Sequence, residues 1–410
     1  MLFALHGAAV LQQEFLREHL GHLETSDVLI ANCSSDLKIL RGFFGQEAPM
    51  LCRLPLPVDT NTFRPRDQRE CREMLEIDED AKVVGFVGRL LPQRNLHHFL
   101  YMLAELKQVL SPRKIAAVVI GNYWVDYPVL NYGGADYQAH IGELIRVLNI
   151  NDNLSYFPAG LSDDELAMAY CAMDILIHPT SALDENFGYV PLEAMACGTP
   201  VVGAAYGGLK ETIGEGAFLM PTWTTRSGIR MDLIGGLESA KRLLLDDTLH
   251  AHISNNGIKR VLENYTEEVC GRRLCSAVSA AVSERRTGNQ RPISLLPPPV
   301  APEPAGLLPP LELPWEFYEN AVKDYVSNGH PPLNSHTRLR LAAPVEQDAL
   351  GTYYLIDPAW PARFCLDEID RVIVERCRNV VSAGDLAGAG EPDWPRIKRL
   401  IDDGLLICSN

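Results

Sequence analysis

Short apolar runs alternate with amphipathic stretches along most of this chain. The apolar runs end in Gly, Pro, Asn or Ala and lie at 28–32, 83–88, 116–121, 154–160, 175–179 and 200–204. Between them, apolar residues recur at helical spacing, as in 96–110 and 137–150. Because strands that are buried on both faces read as continuous apolar runs, this alternation predicts a parallel sheet covered by helices. The predicted fold class is therefore α/β.

Two proline-rich segments divide the predicted elements. Residues 292–314 contain nine of the 28 prolines, which is typical of an extended linker. Residues 54–65 lack apolar periodicity, which is typical of a crossing between domains. The predicted divisions are an N-terminal unit at 1–65, a central domain at 66–291, the linker at 292–314 and a C-terminal unit at 315–410. The apolar start lacks the basic region of a signal peptide, and we interpret it as a buried strand.

Composition and charge exclude several classes of protein. The 410 residues carry a net charge of −16, which argues against a general nucleic-acid binder because such proteins need a basic surface. Hydrophobic residues make up 47% of the chain, so we expect a large core rather than a disordered chain. No apolar stretch reaches the ~18–20 residues of a membrane helix. The ten cysteines form no CxxC pair, so we expect reduced thiols in a cytoplasmic protein.

Two arginines follow the apolar run at 83–88. Arg89 and Arg94 lie in the turn before a predicted helix, where guanidinium groups and free backbone amides together suit a diphosphate. Two solvated loop arginines would show the same spacing, so the spacing alone leaves both interpretations open.

A second group of candidate residues follows the apolar run at 175–179. Glu185 and Glu193 are eight positions apart, with Gly188 between them. If Pro191 begins a helix, as proline does readily at a first turn, Glu193 lies in that turn, where free backbone amides can meet a phosphate. The two carboxylates can accept hydrogen bonds from ribose and sugar hydroxyls, whereas either glutamate alone is more typical of a surface residue or a helix cap.

These motifs together resemble those of the retaining GT-B glycosyltransferases of the family-4 type, also called glycosyl transferases group 1. The matching segments are FVGRLLPQRN at 86–95, ILIHPTSALDENFGYVPLEAMACGTPVVGAAYGGLKETIGEGAFLMP at 175–221, and the Asp59…Phe63…Pro65 crossover. Glu185 and Glu193 reproduce the family's E-x7-E motif. The resemblance implies GT-B-like Rossmann domains, of which the N-terminal one is incomplete.

The resemblance also implies a role for each matching position. It makes Glu185 and His6 the catalytic residues, facing the donor sugar. Arg89 matches the phosphate-binding arginine, and Arg94 stands where the family usually has lysine. The residues implied in donor and nucleotide binding are Arg89, Arg94, Phe187, Gly188, Tyr189, Val190 and Glu193, the last of them at the ribose. Ser34 is implied in an active-site loop, and 157–160 near the nucleobase.

The implied reaction transfers a sugar from a nucleoside diphosphate, UDP- or GDP-linked, to an unknown acceptor with retention of anomeric configuration. Neither a cofactor nor a metal ion is implied, because arginines and helix amides can stabilise the departing diphosphate. Leu56-Pro57 replaces the family's usual Asn-Gly, and ~100 residues of the N-terminal domain are missing by comparison with a usual α/β domain. These departures leave an alternative, a non-catalytic or split remnant that acts as a donor-binding or peptide-binding scaffold.

The C-terminal unit is predicted to be a small α+β domain. Alternation in 337–344 and 351–357 predicts a hairpin between these two segments, and helical patterns follow at 366–378 and 394–403. Gly404 stands where a glycine ends a helix. A hairpin followed by helices is winged-helix-like.

Three segments of this unit resemble PqqD-like peptide-recognition elements: YYLIDP at 353–358, LDEI at 366–369 and LIDDGLL at 400–406. The resemblance implies a peptide partner that adds a strand to the hairpin edge. A generic add-on for docking or dimerisation remains the alternative. A nucleic-acid partner is not expected, because the unit lacks a dense basic face.

Overall fold

The computed structural model describes residues 1–5, 7, 9, 13–123, 134–157, 160–288, 290–297, 315, 319, 322–327, 329–386 and 392–410. In the N-terminal unit, three parallel strands form a sheet in the order β1-β2-β3. The elements of this unit are β1 (Leu2–Leu5), α1 (Gln13–Leu20), β2 (Val28–Ala31), α2 (Ser34–Arg41) and β3 (Met50–Arg53). The chain therefore starts in a strand, as predicted. The prediction that this strand is buried is wrong at Leu2, which is 41% exposed because β1 lies at the edge of the described sheet.

A six-stranded parallel sheet forms the central domain, in the order β6-β5-β4-β7-β8-β9. Its strands are β4 (Lys82–Val87), β5 (Ile115–Ile120), β6 (Leu154–Phe157), β7 (Ile175–His178), β8 (Val201–Ala204) and β9 (Phe218–Met220). Each apolar run predicted as a strand in this domain forms one. The strand order reverses between β4 and β7, and at such a switch point the carboxyl ends of the strands leave a crevice for a ligand.

Helices pack on both faces of this sheet. In β4, Val84 and Phe86 belong to one apolar cluster, while Val83 and Val87 belong to another, because successive side chains of a strand point to opposite faces. The helices are α3 (Gln68–Met74), α4 (Leu96–Leu110), α5 (Gly134–Val147), α6 (Asp163–Ala172), α7 (Tyr189–Ala196), α8 (Leu209–Thr212), α9 (Leu233–Leu245), α10 (Asp247–Asn264) and α11 (Glu267–Arg286). Single 3₁₀ turns lie at Pro92–Arg94, Asn151–Asn153 and Gly214–Gly216.

The strands beyond the central sheet form a hairpin and two small antiparallel sheets. The hairpin joins β10 (Thr222–Thr225) to β11 (Gly228–Met231). The C-terminal strands are β12 (Arg338–Leu341), β13 (Val345–Gln347), β14 (Thr352–Leu355), β15 (Ala362–Cys365), β16 (Val381–Ser382) and β17 (Leu406–Ser409). The accompanying helices are α12 (Glu368–Arg376), α13 (Ala383–Leu386) and α14 (Trp394–Asp402). Gly404 follows α14 with φ of 85°, as its predicted role at the helix end requires.

The predicted hairpin between 337–344 and 351–357 is wrong. Strand β12 pairs with β16 and β17, so that Leu339 lies opposite Cys408, whereas β14 pairs with β13 and β15. The two segments therefore lie in different sheets. Alternation shows which face of a strand is buried, but it does not identify the strand that pairs with it.

The C-terminal unit is docked on the central domain, and the start of the predicted linker lies along the N-terminal unit. Arg340 donates a 2.5 Å hydrogen bond to Glu105 Oε1 in helix α4. Ser294 N donates to Glu47 O at 3.0 Å. Residues 298–314 of the predicted linker lie outside the described residues, so the domain boundaries stay a prediction. Among the described residues, no helix combines the length and apolar character that crossing a membrane requires.

Candidate functional site

The loops after β4 and β7 meet at the switch point of the central sheet. These two strands are neighbours, with Gly85 opposite Leu176. Beyond β4, Gly88 has φ of 147° and turns the chain toward Arg89. The 3₁₀ turn that follows carries Arg94, which is only 10% exposed. The sequence therefore brings both predicted arginines to the edge where a ligand of such a fold binds.

Both arginines are paired with carboxylates of the loop after β7. Arg89 Nη2 donates to Asp184 Oδ2 at 2.8 Å. Arg94 is hydrogen-bonded through Nη1 to Glu185, and its Nη2 lies 3.6 Å from Asp184 Oδ1. The interpretation as a solvated loop residue is therefore wrong for the buried Arg94, whereas Arg89 is paired but half-buried. Asp184 was not singled out from the sequence, although it lies beside the E-x7-E motif.

Helix α7 begins at Tyr189 rather than at Pro191. Gly188 is its N-cap residue with φ of 91°, and a Cβ at this position would meet the Leu209 side chain at 2.2 Å. A glycine is required there on both counts. Pro191 is therefore the third residue of the helix, and Glu193 is the fifth rather than a first-turn residue. The expected helix is present, and its free amides start two residues earlier than predicted.

The remaining predicted donor residues lie around this helix start. Phe187 is buried and packs edge-on against Tyr265, with ring centroids 6.0 Å apart. Tyr189 is 42% exposed, and Val190 is half-buried. The aromatic contact fixes the backbone of the loop that leads into α7, and it leaves Tyr189 accessible to a ligand.

Glu193 is held by a tyrosine of the neighbouring helix. The Tyr170 hydroxyl donates to Glu193 Oε2 at 3.0 Å. Burial raises the pKa of Glu193 to about 7, against the lowering effect of this hydrogen bond. The predicted ribose ligand is therefore a carboxyl group that changes charge near neutral pH.

His178 ends β7 and lies beside Glu185, with Nε2 3.8 Å from Glu185 Oε2. It is buried, and neither of its ring nitrogens has a hydrogen-bond partner among the described residues. Burial, and then the charge of Arg94, lower its pKa to about 3, so the ring is neutral. A histidine near the end of the apolar run ILIHP is the sequence signal that could have identified this residue. The site was assigned from the E-x7-E motif, and His178 was not singled out.

The two predicted residues of the N-terminal unit have different outcomes. His6 lies outside the described residues. Ser34 begins helix α2, and its backbone N–H donates to Glu211 Oε1 of the central domain at 2.7 Å. Ser34 therefore starts a helix at the junction of the two units, and its implied place in an active-site loop stays a prediction. At the predicted nucleobase segment, Phe157 ends β6 and Gly160 precedes α6, while 158–159 lie outside the described residues.

One buried group in the described part of the chain has the chemistry of a metal site. His97 and His98 of helix α4 and Asp357 of the C-terminal unit place ligand atoms within 4.8 Å of one another. Arg230 Nη1, however, lies 3.9 Å from Asp357 Oδ2, and the other carboxylate oxygen accepts two backbone N–H groups of its own turn. Burial lowers the pKa of His97 to about 4. The group is thus a charge-compensated contact between the two units.

The central domain is similar to proteins of a known family. The sequence profile described as "Glycosyl transferases group 1" matches residues 67–260. A D-inositol 3-phosphate glycosyltransferase of Stackebrandtia nassauensis is 34% identical over 194 residues, covering 47% of this chain and 41% of that protein. Its counterpart in Kineococcus radiotolerans is 32% identical over 238 residues, covering 55% and 50%. The chain therefore spans half or less of the length of these curated relatives.

Solved structures share the fold of this chain. Sucrose-phosphate synthase from Thermosynechococcus elongatus superposes with a TM-score of 0.53 at 22% identity, covering 70% of this chain and 67% of that one. Anabaena HepE in complex with UDP-glucose gives 0.54 at 21% identity, covering 68% and 72%. At these identities the likeness concerns the fold, and it confirms the predicted GT-B-like α/β architecture.

Proposed function

Residues 67–260 form a glycosyl transferases group 1 domain, and from this premise we propose that the protein is an enzyme that transfers a sugar from a UDP- or GDP-linked donor to an acceptor hydroxyl. The transfer retains the anomeric configuration. The observation that carries the proposal is the contact between Arg94 and Glu185. It joins a cation suited to a diphosphate with a carboxylate suited to sugar hydroxyls, across the switch point of the sheet.

The paired arginines provide a way to couple diphosphate binding to sugar positioning. A diphosphate is negatively charged, and its oxygens can accept two parallel hydrogen bonds from one guanidinium group. We infer that it takes the place of Glu185 on Arg94, while Asp184 stays with Arg89. Once released from Arg94, the Glu185 carboxylate accepts hydrogen bonds from hydroxyls of the donor sugar. The neutral ring of His178, 3.8 Å away, can accept or donate a further hydrogen bond to the same sugar.

Helix α7 holds the other side of the donor in this proposal. The amides of its first turn, starting at Tyr189 and Val190, have no intrahelical acceptor and face the diphosphate with the positive end of the helix dipole. Glu193, one turn further along, accepts hydrogen bonds from the ribose. The departing diphosphate is stabilised by two guanidinium groups and these amides, so neither a metal ion nor a cofactor takes part in the transfer.

A peptide is the proposed partner of the C-terminal unit. Among the described strands, β15 pairs with β14 alone, so its other edge has backbone groups for an added strand. Arg363 and Cys365 are exposed on this strand. Hydrogen–deuterium exchange of the full chain with candidate peptides tests this, because a bound peptide must protect the amides of β15. Binding that leaves the exchange of these amides unchanged would contradict the proposal.

The donor proposal is tested by calorimetric titration of the full chain with UDP, GDP and their sugar conjugates. We expect the wild-type chain to bind one of these nucleotides and Glu193→Ala to bind it less tightly. Glu143→Ala is the matched control, because Glu143 is an exposed glutamate paired with Arg146 on helix α5. If no nucleotide binds, or if the two variants bind equally, the donor site has been assigned wrongly.

A further inference from the structure

Trp360 of the C-terminal unit makes a buried contact with the central domain. Its indole N–H donates to Ser181 Oγ at 3.0 Å, and its carbonyl oxygen accepts from Arg230 Nη2 at 3.3 Å. Beneath the ring lies Gly228, where an added Cβ would come within 2.6 Å of the indole. Trp360 is 6% exposed and Ser181 is fully buried. The position of the indole N–H is thus fixed by contacts on several sides.

Ser181 is the residue at which this contact reaches the candidate site. Its backbone N–H donates to Gln93 O at 2.8 Å, and its hydroxyl donates to the same oxygen at 3.4 Å. The hydroxyl also accepts from Asn95 Nδ2 at 2.9 Å. A hydroxyl has one proton to donate and two lone pairs. Asn95 and Trp360 therefore occupy both acceptor positions of this group.

The residues bound by Ser181 lie on both sides of Arg94. Gln93 precedes Arg94 and Asn95 follows it, and Arg94 Nη1 itself donates to the Thr180 hydroxyl at 3.3 Å, one residue before Ser181. A reorientation of the Ser181 hydroxyl is consequently transmitted to the backbone that carries the Arg94 side chain.

We propose that Trp360 is a positioning residue for the donor diphosphate, so that the C-terminal unit is part of the donor site rather than an appended module. The inference rests on the proposed function. When the indole N–H is removed, a lone pair of a fully buried hydroxyl is left without a partner. The Ser181 hydroxyl then turns its free lone pair toward another donor, and the loop that holds Arg94 loses its fixed geometry.

The test compares Trp360→Phe with Trp315→Phe in the full chain. Trp315 is a matched control, because it is also buried, donates its indole N–H to Thr225 O at 2.8 Å and packs on Trp360 with ring centroids 5.0 Å apart. Its indole N–H does not bond to Ser181. We expect both variants to lower the melting temperature, and Trp360→Phe alone to raise the Kd for the bound nucleoside diphosphate about tenfold.

Ser181→Ala provides a second route to the same answer. It is expected to raise the Kd as well, and adding Trp360→Phe to it should change the Kd little further, because Ser181→Ala already breaks the hydrogen bond to Trp360. Equal Kd values for Trp360→Phe and Trp315→Phe would overturn this inference alone. An unchanged Kd in Ser181→Ala would do the same, even if Trp360→Phe failed to fold. A wild-type chain that binds no nucleoside diphosphate would overturn the proposed function and this inference with it.

Discussion

The hydroxyl of Tyr170 donates a 3.0 Å hydrogen bond to Glu193 Oε2 and thereby joins helix α6 to helix α7. The tyrosine is fully buried, and burial raises the pKa of Glu193 to about 7. The ionised carboxylate accepts hydrogen bonds with both of its oxygens, whereas protonation turns one of them into a donor. The charge state of one residue therefore controls the proposed nucleotide site near neutral pH.

We therefore expect affinity for a nucleotide sugar to rise with pH through about 7. The phosphates of a nucleotide sugar do not change charge in this range, so calorimetry at several pH values reports on the protein. Glu193→Gln should remove the dependence. Tyr170→Phe should move it to higher pH, because the hydrogen bond from Tyr170 lowers the pKa of Glu193 and its loss raises that pKa. A Glu193→Gln variant with the wild-type pH profile would show that another group is responsible.

The contact between Arg94 and Glu185 gives a prediction in which two variants act in opposite ways. Arg94→Ala should weaken nucleoside diphosphate binding by about 10–100-fold, the typical effect of losing hydrogen bonds to a charged group. Glu185→Gln removes a competitor for the Arg94 guanidinium, so the nucleotide should bind as tightly as before or more tightly, while sugar transfer falls on the order of 100-fold. Calorimetry and a transfer assay measure the two effects separately.

A parallel loss of nucleotide affinity in both variants would contradict this exchange of partners. Lys114→Ala is a suitable control, because Lys114 and Asp78 form an ion pair of the exposed surface. We expect that variant to bind the nucleotide as the wild-type chain does.

Most elements of the central domain follow from local sequence. The helix predicted over 96–110 is found at Leu96–Leu110, because an apolar stripe at helical spacing identifies a helix wherever it packs. Helix α6 begins with a local signal of another kind, a capping box in which the side chains of Ser162 and Glu165 each accept from the other's backbone N–H. Each of these signals is formed by residues close together in the chain, so a single sequence is sufficient to predict the element.

Contacts between distant segments could not be predicted in this way. Trp360 and Ser181 are 179 positions apart, and nothing local to either residue indicates the other. The start of helix α7 was misplaced for a different reason. Proline favours the first turn of a helix, which is why the helix was expected to begin at Pro191. Gly188, with its positive φ, takes the N-cap position instead, so that Pro191 is the third residue of the helix.

The buried carboxylate of Asp357 should contribute strongly to the docking of the C-terminal unit. It lies 3.3 Å from His97 Nε2 and 3.9 Å from Arg230 Nη1. Asp357→Ala leaves the buried Arg230 guanidinium without a counter-charge, which typically costs roughly 3–5 kcal/mol. Urea unfolding at neutral pH measures the loss. Glu346→Ala, at an exposed position of strand β13, is the control, and an equal effect of the two variants would contradict a docking role.

Two buried histidines predict how stability falls in acid. Burial lowers the pKa of His97 to about 4 and that of His178 to about 3, from a reference of 6.5. Below pH 6.5 the folded state therefore binds fewer protons than the unfolded state. The contribution of the two neutral histidines to the free energy of unfolding is complete above pH 6.5 and is lost as the pH falls toward their folded-state pKa values of about 4 and 3. Glu193, whose pKa is raised to about 7, acts in the opposite direction between 4.5 and 7.

Because these effects overlap, the decisive quantity is the difference between a variant and the wild-type chain. His178→Leu removes two ring nitrogens that have no hydrogen-bond partner among the described residues, and it removes one group that must lose its proton on folding. We expect the free energy of unfolding of this variant to fall less steeply below pH 6.5, by up to about 1.4 kcal/mol per pH unit. Chemical unfolding at pH values between 4 and 7 tests this, with the exposed His252→Leu as control. Parallel curves for His178→Leu and wild type would show that folding does not lower the pKa of His178.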